Sequence, residues 1–209
     1  MNSQEKIKKL LNQTVGKIHY NGWNNRTEYG YHSYKIGEVD IRGQRNPAKR
    51  IDAYKKYISF DNKIVVDFGC NVGAMLHHMP EVDCGLGFDY DHQCISAANE
   101  ISKILNLKNL NFMKHDFDKD CYESLNNSLP KFIDIALILS LGSWIQSWKD
   151  LYSLCLKKSK LVILEVNNKE EGAPQLDFFR SKGKQIEEIK NASLDDLTGN
   201  FRRKTYIIS

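Results

Sequence analysis

The chain reads as an α/β protein: a seven-stranded, mostly parallel sheet with helices on both faces, ending in an antiparallel hairpin. Three observations predict it. From residue 63 onward, short apolar runs alternate with stretches of helical spacing, the pattern of strands that crossover helices bury on both faces. The first of these runs, Ile64 to Phe68, breaks at a glycine turn, Gly69-Cys70-Asn71-Val72-Gly73, and restarts with helix formers. The last two β-type runs have no helix between them, which calls for an antiparallel pair.

Taken in order, residues 4–15 set Ile7, Leu10, Leu11 and Val15 at helical spacing with lysines between them, so the spacing predicts an amphipathic helix. Periodicity is then lost over residues 20–46, a stretch rich in Tyr, Trp, Gly and Asn that reads as one long ordered loop. Pro47 opens a helix to about Tyr57, since proline is tolerated in a first turn. Strands follow at Ile64–Phe68, Gly85–Asp89, Leu110–Lys114, Ile133–Leu139 and Leu161–Val166, with helices at Val72–Met79, His92–Leu105, Cys121–Leu125 and Ile145–Leu156 between them. A helix over Leu176–Ser181 precedes the final strands, Lys184–Ile189 and Lys204–Ile208, whose connection carries Asn191, Gly199 and Asn200. Organisation follows from this: residues 1–60 form a cap of helices and a basic aromatic loop, and residues 61–209 form the α/β core.

Composition narrows the function classes. A length of 209 residues fits one core, and 41% hydrophobic with 27% charged residues is ordinary for a soluble protein. The longest apolar run, Ile133 to Leu139, is far too short to span a bilayer, and Met1 to Lys6 lacks the apolar core of a secretory signal, so the expected location is the cytoplasm. Five cysteines without a C-x-x-C pair are read as reduced thiols, with neither a disulfide framework nor a metal site. Charge is uneven: residues 1–60 carry 12 Lys and Arg against 5 Asp and Glu, the remainder 18 against 21. A basic front can attract an anionic partner or simply solvate a helix face.

A glycine turn after a first strand brings backbone amides and a helix start close to a ligand, and an acidic residue at the next strand end can accept both ribose hydroxyls. Gly69 and Gly73 supply the turn, and Asp89, 22 residues after Asp67, supplies the acceptor. Neither a third glycine of the dinucleotide type nor a Gly-Lys-Ser/Thr of the phosphate-binding loop is present. With Asp67 at the first strand end, Asp89 and Tyr90 at the second, and Asp116-Phe117 after the third, the chain resembles the class I S-adenosylmethionine-dependent methyltransferases, whose sheet is Rossmann-like. It is similar in particular to small methyltransferases of surface-polysaccharide (capsule) biosynthesis, through Tyr31-His32-Ser33-Tyr34, Gly43-Gln44-Arg45 and Arg50, and more distantly to enzymes acting on tRNA.

That resemblance implies a set of roles. S-adenosylmethionine, leaving as S-adenosylhomocysteine, would contact Asp67, Gly69, Cys70, Asn71, Gly73, Asp89, Tyr90 and Ser140. Asp116 would meet the adenine amino group, Phe117 would cover the ring, and Arg45 with Gln44 would meet the methionine carboxylate. Tyr31, Arg26, Arg42, Ser143 and Trp144 are candidates for the acceptor, although Trp144 equally fits a core aromatic. Methyl transfer mainly needs positioning; a hydroxyl acceptor would gain from a base, for which His32, His115 and Glu165 are candidates. His77, His78 and His92 read as structural or surface residues. The expected reaction is O-methyl transfer to a small anionic acceptor: a sugar hydroxyl, or a phosphate or phosphoramidate oxygen of a glycan precursor. Transfer to RNA and a cofactor-binding protein without turnover are the alternatives; a small basic excess and no appended RNA-binding module speak against nucleic acid.

Overall fold

The computed structural model describes residues 1–14, 31–197, 199 and 202–209. Val15, Arg26 and residues 20–30 of the aromatic stretch lie outside the described residues. Helix α1 (Ser3–Thr14) buries Ile7 and Leu11. Strands β1 (Tyr34–Ile36) and β2 (Val39–Ile41) then pair antiparallel across Gly37. This hairpin falls within the stretch read as loop, because three-residue strands are too short to display a period of two. Helix α2 (Pro47–Tyr54) begins where Asn46 Oδ1 accepts the Lys49 amide, and it ends three residues earlier than the sequence predicts.

The remaining elements are β3 (Ile64–Phe68), α3 (Ala74–His77), β4 (Cys84–Asp89), α4 (His92–Ile104), β5 (Leu110–Lys114), α5 (Tyr122–Ser128), β6 (Ile133–Leu139), α6 (Trp148–Lys158), β7 (Ser159–Val166), α7 (Lys169–Ser181), β8 (Ile186–Ile189) and β9 (Lys204–Ile208). Seven strands form one Rossmann-like sheet in the order β5-β4-β3-β6-β7-β9-β8, with β9 alone running against the others. Helix α7 starts seven residues before the predicted point. Asn168 caps it by accepting the Glu171 amide, and Glu170 and Glu171 occupy its first turn, so favourable N-terminal chemistry outweighs Gly172 and Pro174. Helix α3 is only four residues long, starting from the left-handed Gly73.

Alternation along the strands explains why both faces are covered. Val65, Ile135, Leu137 and Ile163 face a core with α2, α3 and α4, while Val66, Phe68, Ala136, Ile138 and Leu164 face a second core with α5, α6 and α7. A third cluster joins α1 and the hairpin to α4 through Ile7, Leu11, Tyr34, Ile41, Cys94 and Ile101. The Tyr34 hydroxyl donates to the Val72 carbonyl at 3.0 Å and lies 3.2 Å from His77 Nδ1, fastening the N-terminal segment behind the glycine turn. The chain enters the sheet at β3, winds outward to β5, and crosses back to β6 on the other side. Ligands of such sheets bind at the carboxyl ends of the strands where this reversal occurs, here between β3 and β6.

Candidate functional site

At that reversal the backbone between β3 and α3 takes three left-handed residues: Gly69 (φ 79°), Asn71 (φ 51°) and Gly73 (φ 72°). Glycine adopts this region without steric cost, and asparagine is among the few other residues that visit it. The Asn71 side chain accepts the Val72 amide at 2.9 Å, and the Gly69 and Cys70 amides donate to the Phe88 carbonyl. These bonds tie the turn to the end of β4, where Asp89 stands. Its two oxygens accept the Asn71 amide at 2.8 Å and the Asp91 amide at 3.0 Å, and the Tyr90 amide also bonds this carboxyl. Burial pushes the Asp89 carboxyl up, against the pull of the Asp91 and Asn71 amides. Asp67 lies behind it, buried, and burial followed by the Asp89 charge pushes its carboxyl up to about 7. Tyr90 projects from the same strand end with more than half its surface exposed.

A second constellation flanks the turn. Arg45 is 1% exposed; its Nε and Nη2 grip Asp195 at 2.6 and 2.8 Å, and Nη2 also meets Glu165 at 3.0 Å. Arg50 reaches the same two carboxylates, at 2.9 and 3.3 Å, and Arg203 lies 3.5 Å from Glu165 while donating to the Tyr31 hydroxyl at 2.8 Å. Burial works against the Arg45 charge, but Glu165, Tyr31 and Asp195 outweigh it and keep the guanidinium protonated. Gln44 beside it donates to Asp196 at 3.1 Å. One guanidinium nitrogen, Arg45 Nη1, is buried with no hydrogen-bond partner among the described residues. Such an orphan is costly unless a ligand oxygen completes it.

Glu165 is 1% exposed and already accepts from the Ser140 hydroxyl at 2.6 Å as well as facing three guanidiniums. Both of its oxygens are therefore spent on internal partners. Ser140, which follows β6, is held left-handed (φ 62°) with its hydroxyl on this carboxylate. His32 is buried, and burial followed by the Arg45 charge pushes it down to about 3, so its imidazole is neutral and weakly basic. His115 is buried too and lowered by burial, with Nδ1 3.9 Å from Asp120. His77 is internal, hydrogen-bonded to Tyr34, Ala98 and Ser102, and pushed down to about 3 by burial.

The structure brings Gly69, Cys70, Asn71, Gly73, Asp67 and Asp89 together on one strand edge. Asp116 sits after β5 in a tight turn, accepting the Asp118 amide and facing Lys119 at 3.3 Å. Phe117 is 3% exposed and edge-on to both Phe68 and His115, so its ring packs in the second core, with α5, α6 and α7. Trp144, 66% exposed, is no core aromatic; Ser143 and Arg42 are also exposed. Sequence reasoning missed Asp195 and Asp196. They sit about 150 residues from Arg45, on and just after a 3-10 turn over Ala192–Asp195, and no local pattern links them. It also missed Asp118, whose carboxylate accepts the Gln146 and Ser147 amides and so latches the loop after β5 to the loop after β6.

The arrangement sets an amide-anchored carboxylate, Asp89, beside a left-handed turn at the strand reversal where ligands of such sheets bind. Among the described residues no cluster of three or more His, Cys, Asp or Glu could hold a metal ion, and no helix is long and apolar enough to cross a membrane. No family model and no curated protein sequence matches the chain. Solved structures match its fold. EvdMO1 aligns with 98% of this chain at 11% identity and a TM-score of 0.60, the chain spanning 46% of EvdMO1. The N-terminal domain of EvdMO1, determined in the presence of S-adenosylhomocysteine and D-fucose, aligns over 100% of this chain and 96% of its own at 10% identity and a TM-score of 0.60. Precorrin-6y C5,15-methyltransferase from Geobacter metallireducens aligns over 84% and 92% at 16% identity and a TM-score of 0.57. Phosphoethanolamine N-methyltransferase 1 from Haemonchus contortus, in complex with phosphoethanolamine and S-adenosylhomocysteine, aligns over 77% and 41% at 13% identity and a TM-score of 0.58. At these identities the likeness is one of fold.

Proposed function

We propose that the chain is an S-adenosylmethionine-dependent methyltransferase acting on an oxygen of a small acceptor, either a sugar hydroxyl or a phosphoryl oxygen of a glycan precursor. The observation that carries the reading is Asp89: a carboxylate fixed by the Asn71 and Asp91 amides at the strand reversal, facing a left-handed Gly69–Gly73 turn. Support for the cofactor comes from the orphaned Arg45 Nη1, suited to the methionine carboxylate, and from two neighbours in fold determined with S-adenosylhomocysteine, one of them a phosphoethanolamine N-methyltransferase. Support for a sugar comes from the D-fucose present with the EvdMO1 domain, and support for an anionic group from the basic first sixty residues.

When bound, the cofactor would supply an electrophilic methyl group to the acceptor oxygen, with the sulfur as leaving group; a hydroxyl acceptor would also give up a proton, whereas an ionised phosphoryl oxygen has none to lose. The residues do the positioning. Asp89 accepts the ribose hydroxyls, the glycine turn lets the ligand approach the backbone closely, and Tyr90 borders it. Glu165, through Ser140 and Arg45, holds the ends of β6 and β7 in register with the turn. His32, pushed down to about 3 by burial and the Arg45 charge, is a weak base, and methyl transfer rests mainly on orientation.

Calorimetry with S-adenosylhomocysteine tests the reading. Wild type binds, and Asp89→Ala, which removes two charge-assisted hydrogen bonds of about 1.5–3 kcal/mol each, weakens binding at least about 100-fold. No binding by the wild type, or equal binding by the variant, refutes it. Turnover with labelled methyl donor across neutral sugars, sugar phosphates and tRNA then identifies the acceptor, and transfer to tRNA alone would overturn the small-acceptor assignment.

A further inference from the structure

We infer that the cleft between the loop after β6 and the first turns of α7 binds a neutral, polyhydroxylated ring, the hydroxyl-bearing part of the acceptor. Its role as an acceptor site rests on the methyl-transfer reading; its binding chemistry does not. The cleft has a volume of about 390 Å³ and is lined by Gly142, Ser143, Trp148, Glu171, Pro174 and Gln175. That volume lies in the range of small-ligand sites, of the order of 300–1,000 Å³. Because Gly142 and Ser143 closely follow Ser140, and α7 closely follows β7, the cleft opens on the same carboxyl edge of the sheet as the glycine turn.

The lining selects by charge. Among the described residues its one ionisable lining side chain is Glu171, and hydrogen bonds from Ser143, with Asn168 and Asn167, hold that carboxyl below its usual range. A phosphate or carboxylate entering the cleft would meet a like charge with no cation among the described lining residues to offset it. Hydroxyl groups meet the opposite situation, since an ionised carboxylate is acceptor-only with about four lone-pair sites. Gln175 complements it. Its side chain is almost fully buried, its Oε1 is taken by the Tyr152 hydroxyl, and its Nε2 donates to the Glu171 carbonyl at 3.2 Å. Those bonds fix which end of the amide faces the cleft, and only a long 3.4 Å contact joins Nε2 to Ser143 Oγ. A ligand hydroxyl can take over that contact.

Shape points the same way. Any side chain at Gly142 would run into the Tyr152 hydroxyl and the Gln175 amide, so the floor is bare backbone. Trp148 and Pro174 give apolar walls for the C–H faces of a ring.

The test uses the full chain, with saturation-transfer NMR and calorimetry against methyl glycosides of glucose, galactose and mannose and against glucose 6-phosphate, each with and without S-adenosylhomocysteine. Wild type is expected to bind at least one neutral glycoside, and to bind it more tightly than glucose 6-phosphate. Glu171→Gln and Ser143→Ala should each weaken that binding about tenfold while S-adenosylhomocysteine affinity and far-UV circular dichroism stay unchanged. Tighter binding of the phosphorylated sugar, no binding of any neutral glycoside, or indifference to both substitutions overturns the inference. Failure of the wild type to bind S-adenosylhomocysteine instead refutes the methyl-transfer reading, because glycoside binding is read independently of it.

Discussion

Asp67→Asn separates the physics of the strand end from that of the rest of the molecule. Asp67 is buried at the close of β3, and burial, then the Asp89 charge, raise its carboxyl to about 7. In the unfolded chain the same group returns to about 3.9. Between those values the folded protein keeps a proton that the unfolded chain has released, so this group's contribution to stability falls as pH rises from about 4 to about 7 and is constant above. Across the whole window the loss is about 4 kcal/mol, and about 2 kcal/mol of it falls between pH ~5.5 and pH ~8. The wild-type curve alone does not reveal this. His32 and His77, both pushed down to about 3, act with the opposite sign: they are neutral in the fold and take up protons on unfolding below pH ~6.5, so their contribution rises with pH. The difference between Asp67→Asn and wild type cancels them. Urea unfolding followed by circular dichroism at the two pH values should find the variant's advantage larger at pH ~8 by about 2 kcal/mol. An advantage that is the same at both, within about 0.5 kcal/mol, would refute a raised Asp67 carboxyl.

Three further outcomes follow from the same geometry. Gly73→Ala places a side chain at φ 72° against the Phe112 ring and His77; it should cost about 1–3 kcal/mol in urea unfolding and weaken S-adenosylhomocysteine binding at least about tenfold in calorimetry. Asp195→Ala strands the buried guanidiniums of Arg45 and Arg50 and should cost about 3–5 kcal/mol in the same unfolding assay, whereas a loss below about 1 kcal/mol would show that the ion cluster does not hold the segment before β3 to the sheet. Asp118→Ala releases the Gln146 and Ser147 amides and with them the loop bearing Ser143 and Trp144; the acceptor KM should rise while S-adenosylhomocysteine affinity stays constant, and equal losses in both would deny the latch that selective role.

Much of the fold was legible because its signals are local. Four of the predicted strands, Ile64–Phe68, Leu110–Lys114, Ile133–Leu139 and Lys204–Ile208, have the predicted bounds, since a short run rich in apolar and β-branched residues between turn-forming segments leaves little choice of ends. The hairpin β1–β2 was not legible, being six paired residues stabilised by packing of Tyr34, Val39 and Ile41 against α1 and α4 rather than by their own pattern. The start of α7 was hidden by Gly172 and Pro174, whose propensities point away from a helix that the Asn168 cap nonetheless begins. The site divides the same way. The glycine turn and Asp89 announce themselves through spacing, but Phe117 reads identically whether it covers a ligand or fills a core, and only its neighbours Phe68 and His115 decide.

The sequence by itself determined the α/β alternation, the left-handed turn at Gly69–Gly73 and the acidic strand end at Asp89, because each depends on residues within one strand–turn–helix unit. The tertiary structure decided what surrounds that turn. Arg45 was legible as a cation, yet its partners Glu165 and Asp195 come from β7 and from the connection before β9, more than a hundred residues away. Charge pairing across such separations depends on the strand order of the assembled sheet, which no periodicity in the chain records.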